Sequence, residues 1–400
     1  MKKRLGLFFF AILVLSPFAL LTTQNAQADR QLPVNEPDRG LMYDGLQVAL
    51  SGACKGALQV RTTTANGVTH CTHGPDVAPA KSNVKASAAP VSSGPKSAAA
   101  AAATTVTCDG DGVTGKRIQV IYAHPAGVAD QYATYKTSFQ QWAAEVDSDF
   151  NTSAAQTGGN RHVRFVTDAS CTPTVIDVAL SATGAQDFGS TELELDGKGY
   201  NRTDRKYLVF VDAHVYCGIS DTSVDDQAGT ANMANSGPNY ARVDGGCWSG
   251  VIAAHELLHT MGGVQLTAPD SDGNFHCTQG YDNMCDHSGH SVTSLCTNPA
   301  GDSWFDCNHT NYFSTNPTSG SYLATHWNTA NNQFLFKTSS GPSAVTLSEM
   351  QAHVASSDPT QAAPDNLTVL LTLFSGAGLM ALYALNLLMS ATRETQLIDA

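Results

Sequence analysis

The sequence predicts an α/β fold built on a mixed, mostly parallel sheet, and three observations predict it. Apolar, β-branched runs recur as "KRIQVIYA" (116–123), "HVRFVTD" (162–168) and "KYLVFVDA" (206–213), each reading as a strand. Between the first two, residues 128–150 place Tyr132, Tyr135, Phe139, Trp142, Val146 and Phe150 at steps of three and four, the wide apolar face of an amphipathic helix. Strand, helix, strand, further strands and then a second helix near 250–261 is the order of an α/β layer. Beyond Gly262-Gly263 the periodicity fades, and residues 264–335 are rich in Gly, Asp, Asn, Ser and Cys. That stretch is expected to form an irregular lower lobe held by disulfides.

The two ends carry export signals. Residues 1–28 join Lys2, Lys3 and Arg4 to an uncharged apolar run ending in Ala26-Gln27-Ala28, the pattern of a cleaved signal peptide, with Asp29 as the mature start. Residues 367–389 contain no charge and are long enough to cross a hydrocarbon core of about 30 Å as a transmembrane helix. A tether (339–366) precedes this span and a short tail (390–400) follows it. Near the start, residues 29–77 form a small region that is too short for much of a core of its own. An Ala/Ser/Pro-rich linker follows over 78–107, and the folded body covers 108–338. The expected location is outside the cell, either on the extracellular face of the membrane through a single C-terminal span or secreted.

Charge and cysteines bound the function. The chain has 22 Lys and Arg against 35 Asp and Glu, net −13, and removing the three basic residues of the leader leaves 19 against 35, net −16. Such a surface is a poor partner for nucleic acid. Ten cysteines with no C-x-x-C pair read as disulfides in an exported chain, not as a zinc-thiolate site. Pairing in chain order is the simplest arrangement and includes Cys54–Cys71, Cys277–Cys285 and Cys296–Cys307.

The chemistry concentrates in "SGVIAAHELLHTMGG" (249–263). Ser249 is a candidate N-cap and Gly262-Gly263 a helix stop, so His255 and His259 lie one turn apart on one face. Two imidazoles so placed can hold one ion, while Glu256 reaches a metal-bound water as general base. H-E-x-x-H-x-x-G resembles the first part of the metzincin zinc-peptidase signature. In that family a Met-containing turn lies under the metal, and Met284 in "YDNMCD" (281–286) is similar to it. The resemblance covers roughly 108–335, strongest over 247–286, and implies a metzincin-like fold with the active-site helix over the lower lobe. It also implies a Zn2+ cofactor and a protein or peptide substrate.

The pattern departs at Gln265, where the family supplies a third histidine; a neutral amide is a poor zinc ligand. Candidates for the third ligand are Asp270, Asp272, His276, His287 and His290, and His276 is preferred. It lies between the glycine turn and Met284, and a Cys277–Cys285 disulfide would hold both in one loop. "DSDGN" resembles an acidic calcium loop but lacks the downstream glutamate of an EF-hand. Cys54 or Cys71 could instead cap the zinc as a thiolate if residues 29–105 act as a propeptide. The reading is a zinc endopeptidase with His255, His259 and His276 as ligands and Glu256 as catalytic base. The alternatives are a non-catalytic metal-binding surface or adhesion module, and a cell-wall amidase.

Overall fold

The apolar run near 116–123 becomes an interior strand of the sheet because both its faces find cover. The computed structural model describes residues 31–62, 67, 69–78, 103–280, 282–285, 293–294 and 303–338. Three short strands come first: β1 (Leu46–Val48), β2 (Leu58–Val60) and β3 (Cys71–Pro75). The body follows with β4 (Arg117–Pro125), α1 (Tyr132–Gln156), β5 (His162–Val163), β6 (Val175–Leu180), α2 (Phe188–Gly197), β7 (Arg205–Val211), β8 (Gly218–Thr222), β9 (Tyr240–Asp244) and α3 (Gly250–Thr260). Then come β10 (Gln279–Gly280), β11 (Thr293–Ser294), the single turn α4 (Tyr322–Thr325) and β12 (Leu335–Phe336).

Eight strands form one sheet in the order β1-β2-β3-β8-β9-β7-β4-β6. Its β9-β7-β4-β6 half is parallel, and its β1-β2-β3-β8 half is antiparallel, as is the β8–β9 junction. The fold is therefore α/β with a mixed sheet. Alternate residues of β4 and β7 point to opposite layers. Ile118, Val120, Tyr122, Leu208 and Phe210 join one core with Phe139, Trp142, Trp248, Leu257 and Leu258. Ile121, Ala123, Tyr207, Val209 and Val211 join the other with Phe188, Leu195, Leu46 and Val60. Burial on both sides is why these strands read as unbroken apolar runs.

Two expected elements differ in extent. The 128–150 helix starts at Tyr132, and Tyr132 and Tyr135 are only partly buried, packed against the core at its rim. The expected strand over 162–168 is regular only at His162–Val163, which pairs with β12. Its later residues split their hydrogen bonds, with Arg164 N donating to Phe334 O and Val166 N to Ile118 O, so no continuous ladder forms. Residues 31–62 and 69–78 do not stand apart. They extend the sheet and place Leu46 and Val60 in the core above α2.

Cys54–Cys71, Cys108–Cys171, Cys217–Cys247 and Cys277–Cys285 are disulfides, in chain order. Cys307 is also disulfide-bonded, while its expected partner Cys296 lies outside the described residues, as do His287, His290 and the signal peptide. The span expected over 367–389 also lies outside them. Among the described residues no helix is long and apolar enough to cross a membrane.

Candidate metal centre

Helix α3 presents the site because both its ends are fixed. Ser249 Oγ accepts from Ile252 N at 3.2 Å and caps the first turn. At the other end Gly262 takes φ +83°, and a Cβ there would sit 2.6 Å from Trp327 Nε1. That indole donates to Met261 O at 2.9 Å, closing the last turn. Only glycine satisfies both the left-handed backbone and the close approach.

His255 and His259 face one another across that turn, Nε2 to Nε2 at 3.0 Å. His276 arrives from the loop below, its Nε2 3.3 Å from His255 Nε2. The structure thus brings the three sequence-predicted histidines together. His255 Nδ1 donates to Asn283 O at 2.7 Å, and His276 Nδ1 donates to Asn274 O at 3.0 Å. Each carbonyl fixes a tautomer in which the neutral ring turns an Nε2 lone pair toward the centre.

The loop geometry explains how His276 gets there. Cys277 N donates to Met284 O at 2.9 Å beside the Cys277–Cys285 disulfide, so the residue after His276 is tied twice to the 282–285 turn. Met284 is fully buried in the main core. Asp282 Oδ1 accepts from Met284 N at 3.0 Å and from the Tyr312 hydroxyl, and its Oδ2 accepts from Cys307 N at 3.0 Å. Burial is the main cause that pushes the Asp282 carboxyl up to about 7.

The other candidates are placed elsewhere. Gln265 is spent on the backbone: Oε1 accepts from Asp225 N at 3.1 Å, and Nε2 donates to Ser223 O and Gly262 O at 2.9 and 3.1 Å. Asp270 accepts from Gln279 and Asn308, and Asp272 Oδ1 caps Asn274 N and His276 N. Both carboxylates organise the loop. Cys54 and Cys71 are bonded to each other, which removes the thiolate-cap reading.

Sequence reasoning missed a fourth group. Asp76, just after β3, reaches the centre with Oδ2 3.0 Å from His255 Nε2 and Oδ1 2.9 Å from His276 Nε2. Burial disfavours its charge, but His73, His255 and His276 together hold the carboxyl well below its usual range. His73, on β3, stacks on His259 with ring centroids 3.8 Å apart. The only signal was an acidic residue three places after a histidine in "THGPD", too common a pattern to single out.

Glu256 is fully buried beside this cluster, 3.5 Å from His73 Nε2. Burial first, and the charge of Asp76 second, push its carboxyl well above the usual range. It fits because position 218 on β8 is glycine, where a Cβ would lie 1.8 Å from Glu256 Oε1. Burial also lowers His259 well below an ordinary histidine, keeping the ring neutral and able to donate its lone pair.

The donor set suits a borderline transition ion. Imidazole nitrogens at zinc-ligand distance sit roughly 3.3 Å from one another around a tetrahedron, close to the spacings above. A cation placed among these nitrogens and the carboxylate would be attracted by all of them. His259 turns its Nε2 toward the cluster, 3.0 Å from His255 Nε2. Comparison with family models, curated proteins and solved structures finds no match, so the metzincin resemblance rests on the motif residues alone.

Proposed function

We propose that the protein is an exported zinc endopeptidase, held outside a membrane through residues 367–389. One observation carries the reading: three imidazoles converge on one point, two with their tautomers fixed by backbone carbonyls, with a buried glutamate adjacent. Nitrogen-rich donors favour zinc over calcium or magnesium, which prefer oxygen. A bound zinc would acidify a coordinated water and polarise a substrate carbonyl. His255, His259 and His276 would hold the ion. Glu256, its proton affinity raised by burial, would take up one proton and return it to the leaving amine. Disulfides within the described body support an oxidising, extracellular setting.

A second reading, a closed structural site in a non-catalytic surface module, is favoured by Asp76, because structural zinc sites fill all four positions with protein ligands. Glu256 speaks against it, since such a site has no use for a buried general base. The test is casein hydrolysis by the mature chain and its Glu256→Ala variant, each with zinc content measured. Zinc in both with hydrolysis only in the parent supports the endopeptidase. Equal hydrolysis in both removes Glu256 from the chemistry and refutes the reading.

A further inference from the structure

We propose a second metal site, for a buried Zn2+, on the opposite face of the sheet from the three-histidine centre, with His70 Nδ1 and the carboxylates of Glu192 and Asp221 as its ligands. The inference stands apart from the endopeptidase reading, because it uses none of the residues assigned to that chemistry.

Three observations carry it. First, the sheet itself separates the two sites. Ser220 and Asp221 are consecutive on β8 and so face opposite layers. Ser220 Oγ lies 3.0 Å from His73 Nε2, on the side where His73 meets Glu256 of α3. Asp221 Oδ2 lies 2.9 Å from His70 Nδ1, on the side where His70 meets Glu192 of α2.

Second, the donors converge. Glu192 Oε1 is 3.9 Å from His70 Nδ1, and one ligand atom from each of the three residues lies within 4.8 Å of the others. The spacings of 2.9 and 3.9 Å bracket the roughly 3.3 Å that separates donors around a tetrahedral zinc. A carboxylate bound through both oxygens would complete the coordination. An imidazole among so few donors argues for zinc over calcium, which takes about six to eight oxygens.

Third, the cluster is sealed and its oxygens are underused. His70, Glu192 and Asp221 are 3%, 1% and 0% exposed. Asp221 Oδ2 also accepts from Tyr240 N at 2.8 Å. Among the described residues, no N–H or hydroxyl group donates to Asp221 Oδ1 or to either oxygen of Glu192. Buried carboxylates ordinarily find such donors or a metal. The surroundings are also strongly acidic. Burial lowers His70, yet Asp221 and Asp196 outweigh it and hold the ring above an ordinary histidine. Burial first, and Asp221 second, push the Glu192 carboxyl well above its usual range. A divalent ion binding there would release the protons these groups hold to solvent and take up their lone pairs itself. It would also clamp α2 to β8 and to the start of β3, elements distant in sequence.

The test counts zinc in the mature full chain, produced with Zn2+ present so that the ion can enter as the chain folds. The parent is expected to hold two ions. Replacing both His255 and His259 by Ala should leave one. Glu192→Gln, which keeps the shape of the side chain, should lose one, and combining the three changes should leave none. A zinc count in Glu192→Gln equal to the parent's overturns the site and leaves Glu192 and Asp221 sharing a proton instead. A double histidine variant with no zinc overturns it as well. A count lowered by Glu192→Gln but unmoved by the histidine changes would sink the three-histidine centre and leave this site standing. Should Glu192→Gln not fold, anomalous diffraction at the zinc edge from crystals of the parent decides. A peak bonded to His70, Glu192 and Asp221 supports the site, and direct contact among the three with no peak between them overturns it.

Discussion

Gly218→Ala is the sharpest probe of how the Glu256 carboxylate, the proposed general base, is positioned, because it adds one methyl group and touches no candidate ligand. The added Cβ would lie 1.8 Å from Glu256 Oε1, 2.6 Å from its carboxyl carbon and 3.0 Å from its Cγ. A normal contact needs about 3.5 Å or more, so the carboxylate must retreat by well over an ångström, and Glu256 is fully buried with no open direction to take. Misplacing a reacting group by about 1 Å costs on the order of a hundredfold in rate, and loss of a general base costs about 10²–10⁴-fold. We expect kcat on casein to fall by roughly two orders of magnitude relative to the parent. Zinc content should stay at the parent's level, because no atom of His255, His259 or His276 is among the three nearest to that Cβ. An active Gly218→Ala enzyme would refute the placement of Glu256. Loss of zinc alongside activity would show that the change spreads into the ligands.

Other substitutions separate metal binding from folding. His276→Ala should lose zinc while Gln265→Ala keeps it; the latter should unfold about 2–3 kcal/mol more easily, because it strands a buried N–H and two carbonyls. Equal zinc retention in both would remove His276 from the site. Opening the Cys277–Cys285 loop, whose cysteines are 8 positions apart, as a Cys→Ala pair should cost about 2 kcal/mol of stability and weaken zinc binding, read by competition with a chelator. The Asp282 carboxyl, raised to about 7, favours the folded state in its protonated form. Its contribution is complete below the ordinary carboxylate range and is lost as pH climbs to about 7, so unfolding free energy should fall across that window by up to about 1.4 kcal/mol per unit. Asp282→Asn should flatten that slope in denaturant titrations, and an unchanged slope would refute the assignment.

What could be read from the sequence was local. The α3 motif declares itself because ligand spacing, cap and stop all fall within Ser249–Gly263, and a helix converts that spacing into one face. His276 was accessible for a related reason: the short disulfide loop that includes Met284 restricts where it can go. Strands β4 and β7 were legible because both faces are buried, whereas β8 was not. Its "GISDT" carries Ser220 toward His73 on β3 and Asp221 toward His70 just before it, so its pattern depends on a segment far away in sequence. Asp76 and His73 failed to stand out for the same reason. Their meaning comes only from long-range pairing, which periodicity cannot report.

That long-range pairing also shows why the N-terminal region belongs to the sheet at all. Without it, β8 would end the sheet as a bare edge beside a cluster of reactive groups, a template for pairing with any extended chain. For a chain that must fold without aggregating, such an edge is a liability, and pairing with β3 covers it. The cover includes the hydrogen bonds Asp76 N to Gly218 O and Thr72 Oγ1 to Ser220 O at 2.6 Å. His70→Ala, which removes the contact that anchors the start of β3 to β8, should therefore raise self-association. It takes the imidazole from buried Asp221, leaving the hydrogen bond from Tyr240 N at 2.8 Å, at a cost of about 3–5 kcal/mol. Light scattering on the folded variant would test this, and an association state equal to the parent's would refute it.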